Sequence, residues 1–208
     1  HFGIALDGDA DRLIMVDSNG KIYNGDELLY ILAKDRLNLK NINGVVGTFM
    51  TNMAVETSLA DLGVNFERAK IGDRYILEKL NSKGWELGGE SSGHFLFLDK
   101  HTTGDGIISA LQILSALLRS KKTLTESLEN LNLWPQVLIN VPVKSGFNWE
   151  KNKKLVLQKE KIESELGSEG RLLIRLSGTE PLLRIMVEAR SEDLAKNYAK
   201  KIVSCIED

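Results

Sequence analysis

Between Ile107 and Leu118 apolar residues fall on nearly every side of a helix, interrupted only by Ser109, Gln112 and Ser115. A helix of that kind asks for cover on more than one side, and the polar breaks rule out a bilayer span. The segment therefore predicts a sandwiched helix in a layered soluble fold. The residues before it supply the other layers. Residues 2–6 and 13–16 read as strands joined by an acidic loop, with a turn at Asp17–Gly20 that ends a hairpin. From Asp26 the apolar period becomes helical, through Leu28, Leu29, Ile31 and Leu32. Then come a strand at 44–49, a helix near 54–62, a strand at 65–69, a helix at 74–80, and short strands at 85–88 and 95–98. Such alternation predicts an α/β layer with a largely parallel sheet, ending near residue 131.

Asn132–Pro135 reads as a hinge, because the order of elements changes after it. A strand at 137–143, a helix at 149–166, strands at 171–176 and 183–189, and a last helix capped by Ser191 predict a small α+β domain. In the last helix Leu194, Tyr198, Ile202 and Ile206 recur every fourth residue, and Ala195, Ala199 and Val203 widen that stripe.

The formal net charge is −2 with an isoelectric point near 6.0. That balance points to neither nucleic acid nor a membrane surface. One cysteine, Cys205, cannot form an internal disulfide, which fits a reducing, cytoplasmic compartment. The chain opens at His1 in mid-strand, so we expect a fragment of a longer protein. There is no internal repeat, P-loop, dinucleotide fingerprint or zinc spacing.

Three polar clusters can carry chemistry. In Asp7-Gly-Asp-Ala-Asp-Arg12, three carboxylates at alternate positions repel one another. A cation would neutralise them, and hard oxygen ligands point to Mg²⁺, with Asp7, Asp9 and Asp11 as ligands. Arg12 adds a planar donor for a phosphate on the same ion. A solvated acidic turn is the plain alternative. An EF-hand is excluded, because its sixth and twelfth positions hold Arg12 and Ser18 in place of Gly and Glu.

Gly88-Gly-Glu-Ser-Ser-Gly-His94 sets a carboxylate, two hydroxyls and an imidazole between glycines. Glu90 and Ser92 suit sugar hydroxyls, and His94 could move a proton. A polar turn between strands would explain the same residues.

In Arg175-Leu-Ser-Gly-Thr-Glu-Pro-Leu-Leu-Arg184 a strand runs into a tight turn flanked by arginines. Backbone N–H groups near Ser177, Gly178 and Thr179, with Arg175 and Arg184, suit a phosphate dianion. The alternative is pairing of the arginines with Glu180 and Glu188. Lys70–Arg74, on a strand-to-helix turn, could touch a sugar or cap the helix, and the sequence alone favours capping; His101–Gly106 reads as a helix cap through Thr103 or Asp105. Trp85, Trp134 and Trp149 read as packing residues.

Together, in this order and spacing, the three clusters resemble the α-D-phosphohexomutases. The first is similar to the family's Mg²⁺ loop, the second to its sugar-recognition loop, the third to its phosphate-binding loop. Lys70–Glu78, Gly47–Asn52 and Thr102–Gly106 resemble the phosphoglucosamine mutase branch, although Ser91 stands where that branch often has Gln. The resemblance implies a three-layer α/β phosphohexomutase domain followed by a small α+β C-terminal domain. Residues 1–24 would end the family's second domain and carry the metal loop, 25–131 would be the third, and 132–208 the fourth. The catalytic phosphoserine would lie in N-terminal domains outside this chain. It also implies Mg²⁺ as cofactor, a hexosamine phosphate as substrate, cytoplasmic amino-sugar metabolism supplying cell-wall precursors, and room for a homodimer in the intact protein. Catalytic roles fall to Arg12 and His94.

Overall fold

The computed structural model describes residues 1–40, 42–144, 146–178 and 180–206. The chain divides into two units, His1–Leu133 and Trp134–Asp208.

The first unit starts with a hairpin. Phe2–Leu6 (β1) pairs antiparallel with Leu13–Asp17 (β2), with Leu6 opposite Leu13, so the acidic loop closes the hairpin end. Ile22–Tyr23 (β3) extends this sheet beside β2. Helix α1, Gly25–Leu39, begins at a capping box in which Asn24 accepts from the N–H groups of Asp26 and Glu27, and Glu27 accepts from that of Asn24.

The second sheet of this unit is formed by Gly44–Thr48 (β4), Asn65–Ala69 (β5), Leu87–Gly89 (β6) and Phe95–Phe97 (β7), in the order β5-β4-β6-β7. β4 runs parallel to both β5 and β6, and only β7 is antiparallel. Helix α2 is Met53–Asp61 and α3 is Asp73–Lys83. Adjacent residues of β6 show the layering. A Cβ on Gly88 would meet Ile76 and Leu80 of α3, whereas one on Gly89 would meet Leu29 of α1. Side chains on a strand alternate faces, so the sheet lies between these helices. Across one edge of the unit, the buried Arg36 guanidinium donates to Asp99 at 2.6 Å.

Helix α4, Gly106–Ser120, corrects one expectation. Its Ser109, Ala110, Ile113 and Ala116 are buried, but Ile107, Leu111 and Leu118 are exposed, Leu118 at 78%. The helix is covered on one side and carries a second apolar stripe, spaced four and seven residues apart, that no described element of this chain covers. A short helix, Leu124–Ser127 (α5), follows with its own capping box; it and the two-residue β3 are too short to show a period in the sequence. Among the described residues no helix is long and apolar enough to cross a membrane.

In the second unit, Gln136–Pro142 (β8), Gly170–Leu176 (β9) and Leu182–Ala189 (β10) form an antiparallel sheet in the order β8-β10-β9. Lys153–Leu166 (α6) and Glu192–Val203 (α7) pack on it around Leu155, Ile162, Leu183, Ile185 and Ile202. The expected helix over 149–166 is broken: Trp149–Lys151 is a single 3₁₀ turn, and Asn152 starts α6 by accepting from the Leu155 N–H. Ser191 caps α7 as expected, while Leu194 lies at the rim of its buried stripe. Trp134 is buried under the Arg190 guanidinium, 3.8 Å from the ring centre.

Candidate functional site

The acidic loop is held from within and from both sides. The Arg12 N–H donates to Asp7 Oδ1 at 3.1 Å, and Arg12 Nε lies 3.6 Å from Asp7 Oδ2 and 3.9 Å from Asp11 Oδ1. Ala10 takes a left-handed conformation, φ 58°, and its carbonyl accepts from the Gly106 N–H at 2.8 Å. Oxygens of Asp7, Asp9 and Asp11 converge within 4.8 Å of one another. Asp11 Oδ1 is buried without a hydrogen-bond partner. An all-carboxylate donor set, with one buried oxygen that no hydrogen bond satisfies, fits a hard divalent cation.

The glycine-rich loop closes against this one. The Leu13 N–H donates to the Gly93 carbonyl at 3.0 Å, and the Gly25 N–H at the start of α1 donates to the Ser91 carbonyl at 3.0 Å. Arg12 and His94 form an isolated β-bridge. Gly93, at φ +92°, leaves no room for a side chain, because a Cβ there would fall 2.0 Å from the Leu13 carbonyl oxygen. His94 is buried, with Nδ1 3.1 Å from Asp11 Oδ2 and Nε2 unpartnered. Asp7, Asp9, Asp11, Arg12, Glu90, Ser92 and His94 thus belong to two loops bonded to each other.

Glu90 joins a third segment to them. Its Oε1 accepts from the Gly72 N–H at 2.8 Å and its Oε2 accepts from Ser92 Oγ at 3.1 Å. In Lys70–Arg74 the N-cap of α3 is Gly72, which has no side chain to cap with and whose N–H goes to Glu90, while Asp73 Oδ1 accepts from the first-turn Arg74 N–H at 2.7 Å. Asp105 does cap α4, accepting from the N–H groups of Ile107 and Ile108 at 2.8 Å. Gly104 and Gly106, part of the Thr102–Gly106 run, pack against both loops. A Cβ on Gly104 would strike the His94 ring at 2.2 Å, and one on Gly106 would lie 2.9 Å from the Ala10 carbonyl oxygen. Their spacing from a capping Asp was the available signal, but it says nothing of which loop they touch.

In the second unit, Arg175 and Arg184 are direct partners across β9 and β10. Burial, and then the neighbouring Arg184, push the Arg175 pKa down from its ordinary value. Arg184 Nη2 lies 3.3 Å from both Ser177 Oγ and Glu180 Oε2, while its Nε is buried without a partner. Glu188 is not its counter-ion: that carboxylate is fully buried and accepts from Arg171 and Gln136. Two close guanidiniums with donors to spare suit an anion. Ser177 and Gly178 lie at the turn, and Thr179 is outside the described residues.

Residues 24–133 match the profile described as "Phosphoglucomutase/phosphomannomutase, alpha/beta/alpha domain III", and residues 138–204 match that of the C-terminal domain. The chain is 60% identical over 204 residues to a phosphoglucosamine mutase of Janthinobacterium sp. (strain Marseille), covering 98% of this chain and 46% of that protein. Against the phosphoglucosamine mutase of Herminiimonas arsenicoxydans the identity is 59%, with the same coverage. The chain therefore spans about half the length of the curated relatives it matches. Among solved structures, Aspergillus fumigatus N-acetylphosphoglucosamine mutase in complex with GlcNAc-6P and magnesium superposes with a TM-score of 0.82 at 22% identity, over 99% of this chain and 52% of that one. A phosphoglucomutase/phosphomannomutase family protein from Burkholderia thailandensis gives 0.77 at 22% identity, over 100% and 46%. The matched profiles cover most of both units, and on that ground the chain belongs to the phosphoglucomutase/phosphomannomutase family.

Proposed function

We propose that these residues are part of a phosphosugar mutase that interconverts glucosamine 6-phosphate and glucosamine 1-phosphate through a phosphoserine and a bisphosphorylated sugar. The observation that carries this reading is the bonding of the acidic loop to the glycine-rich loop. It sets a cation's ligands beside groups suited to sugar hydroxyls. The high identity to phosphoglucosamine mutases favours the amino sugar over glucose or mannose.

In this reading residues 1–24 end the family's second domain, 25–131 form the third and 132–208 the fourth. The phosphoserine lies in N-terminal domains of the same protein. Asp7, Asp9 and Asp11 hold Mg²⁺. When bound, Mg²⁺ polarises phosphoryl oxygens and offsets the charge developing in transfer. Arg12 steadies the transferring group. Glu90 and Ser92 bind hydroxyls of the sugar in either orientation. Arg175, Ser177, Gly178, Thr179 and Arg184 hold the phosphate that is not being transferred.

In the first half-reaction the serine O–P bond breaks as a sugar hydroxyl forms the new O–P bond and releases its proton. We assign that proton to His94, the imidazole of the glycine-rich loop. After the sugar reorients, the other phosphoryl group returns to serine. The lone buried cysteine fits a cytoplasmic enzyme of amino-sugar metabolism. Without the serine these residues alone bind the hexosamine phosphate but do not turn it over, a reading favoured by their 46% share of the relatives.

The test is isomerisation by the full-length protein, followed by ³¹P NMR with Mg²⁺ on glucosamine, glucose and mannose 6-phosphates. The largest kcat/KM is expected on glucosamine 6-phosphate. Preference for glucose or mannose would sink the substrate assignment, and release of inorganic phosphate in place of an isomer would sink the reaction class.

A further inference from the structure

His94 belongs to the glycine-rich loop, yet its imidazole addresses the acidic one. Nδ1 lies 3.1 Å from Asp11 Oδ2, across 83 positions of sequence. A carboxylate only accepts, so Nδ1 carries the proton and donates. With Oδ2 engaged, the other oxygen of Asp11 is left over. That oxygen, Oδ1, is the buried one without a hydrogen-bond partner. Its one cationic neighbour, Arg12 Nε at 3.9 Å, is too distant to hydrogen-bond it, so beside two more carboxylates the oxygen still has room for a cation to complete it.

The ring has little freedom to abandon this contact. His94 is 5% exposed, and its backbone is fixed by the bridge to Arg12 and by the Glu90 N–H, which donates to the His94 carbonyl at 2.9 Å. On the far edge of the ring stands Gly104. A Cβ there would fall 2.2 Å from both Cε1 and Nε2, and 2.9 Å from Nδ1. No positive φ accounts for glycine at this position, whereas the ring does. Residue 104 is therefore small because the imidazole lies over it.

We propose that His94 is a positioning residue for the cation: through Nδ1 it turns Asp11 so that Oδ1 faces the ion, with Gly104 as the seat of the ring. This rests on the reading of Asp7, Asp9 and Asp11 as metal ligands and adds a residue that sets their geometry. The role belongs to Nδ1 and is separate from any proton carried by Nε2. Hydrogen-bond partners of metal ligands typically account for 10–100-fold in metal affinity.

Side-chain isosteres separate this role from plain packing. Asparagine carries its amide nitrogen where Nδ1 stands, whereas glutamine carries one at the reach of Nε2. The experiment titrates Mn²⁺ into the 208-residue chain, reading free Mn²⁺ by electron paramagnetic resonance, with Mg²⁺ as competitor. His94→Asn should bind within a few-fold of the parent. His94→Gln should lose roughly 10–100-fold. Gly104→Ala, which displaces the ring without removing it, should lose a comparable amount. Circular dichroism and urea unfolding identify the folded variants to compare. Parent-like affinity in folded His94→Gln overturns the proposal, as does equal weakening in the Asn and Gln variants. If the parent itself binds no Mn²⁺, the metal-ligand reading fails, and the positioning role falls with it.

Discussion

Arg175 and Arg184 face each other as direct cross-strand partners in β9 and β10, and Arg184 Nη2 also reaches Glu180 Oε2 at 3.3 Å. Like charges at opposed positions destabilise a strand pair by some tenths of a kcal/mol, up to about 1. Burial and the Arg184 charge both work against the protonated form of Arg175. Arg175→Met should therefore leave the second unit as stable or raise its stability by about 0.5 kcal/mol. The same variant should lose the rise in melting temperature that millimolar inorganic phosphate gives the parent. Differential scanning calorimetry with and without phosphate measures both, and an unchanged phosphate response would remove Arg175 from the anion site.

The acidic loop should behave oppositely with and without metal. Asp9→Asn removes one of three converging charges, so the metal-free variant should be slightly more stable than the metal-free parent. Millimolar Mg²⁺ should stabilise the parent by about 1 kcal/mol if it stands at several times its Kd, and should not stabilise the variant. Thermal melts in EDTA and in Mg²⁺ give the four values required. A variant that still gains from Mg²⁺ would argue that the loop is a solvated turn.

Acid should weaken the first unit through Asp99. Burial raises the pKa of this carboxylate, but its bond to Arg36, with the charges of Arg36, Lys40 and Lys100, outweighs burial and holds it below the ordinary value. A depressed folded pKa stabilises the fold above the unfolded value, near 3.9. That contribution disappears as pH falls through the folded value. Asp99→Asn should cost about 2 kcal/mol at pH 7, because the buried Arg36 guanidinium would keep only the more distant Glu86 carboxylate, 3.6 Å from Nη1. The gap to the parent should shrink below pH 4. Urea unfolding of both proteins across pH 3–7 tests this sign.

Gly93→Ala should disrupt the joint between the two loops. The added Cβ would press on the Leu13 carbonyl oxygen and would also require φ +92° of a residue that resists it. A loss of about 2–3 kcal/mol is expected. Gly8→Ala, with nothing within 4 Å of its Cβ, serves as the mild control. Urea midpoints for the two variants compare directly, and equal effects would mean that the joint is looser than the distances indicate.

Much of this arrangement can be read from the chain before any coordinates. Asp7, Asp9 and Asp11 announce themselves by alternation, Ser191 by its place before two acids, and β4 and β5 by short β-rich runs between turns. What stays hidden depends on partners distant in sequence. Nothing in Gly88-Gly-Glu-Ser-Ser-Gly-His94 tells that Glu90 will take the Gly72 N–H at the start of α3. The α4 pattern shows two apolar stripes but not which of them this chain covers. Asn152 cuts short the expected helix because its side chain serves as an N-cap, a local bond that competes with helix continuation.

Ala10 has the last consequence. An L-residue at φ 58° sits in a basin that costs roughly 1–2 kcal/mol to enter. A glycine would relax there, and would also let the neighbouring acids drift apart when nothing neutralises them. The methyl group leaves the loop less able to spread, so an arriving ion meets oxygens already gathered and has little chain entropy left to remove.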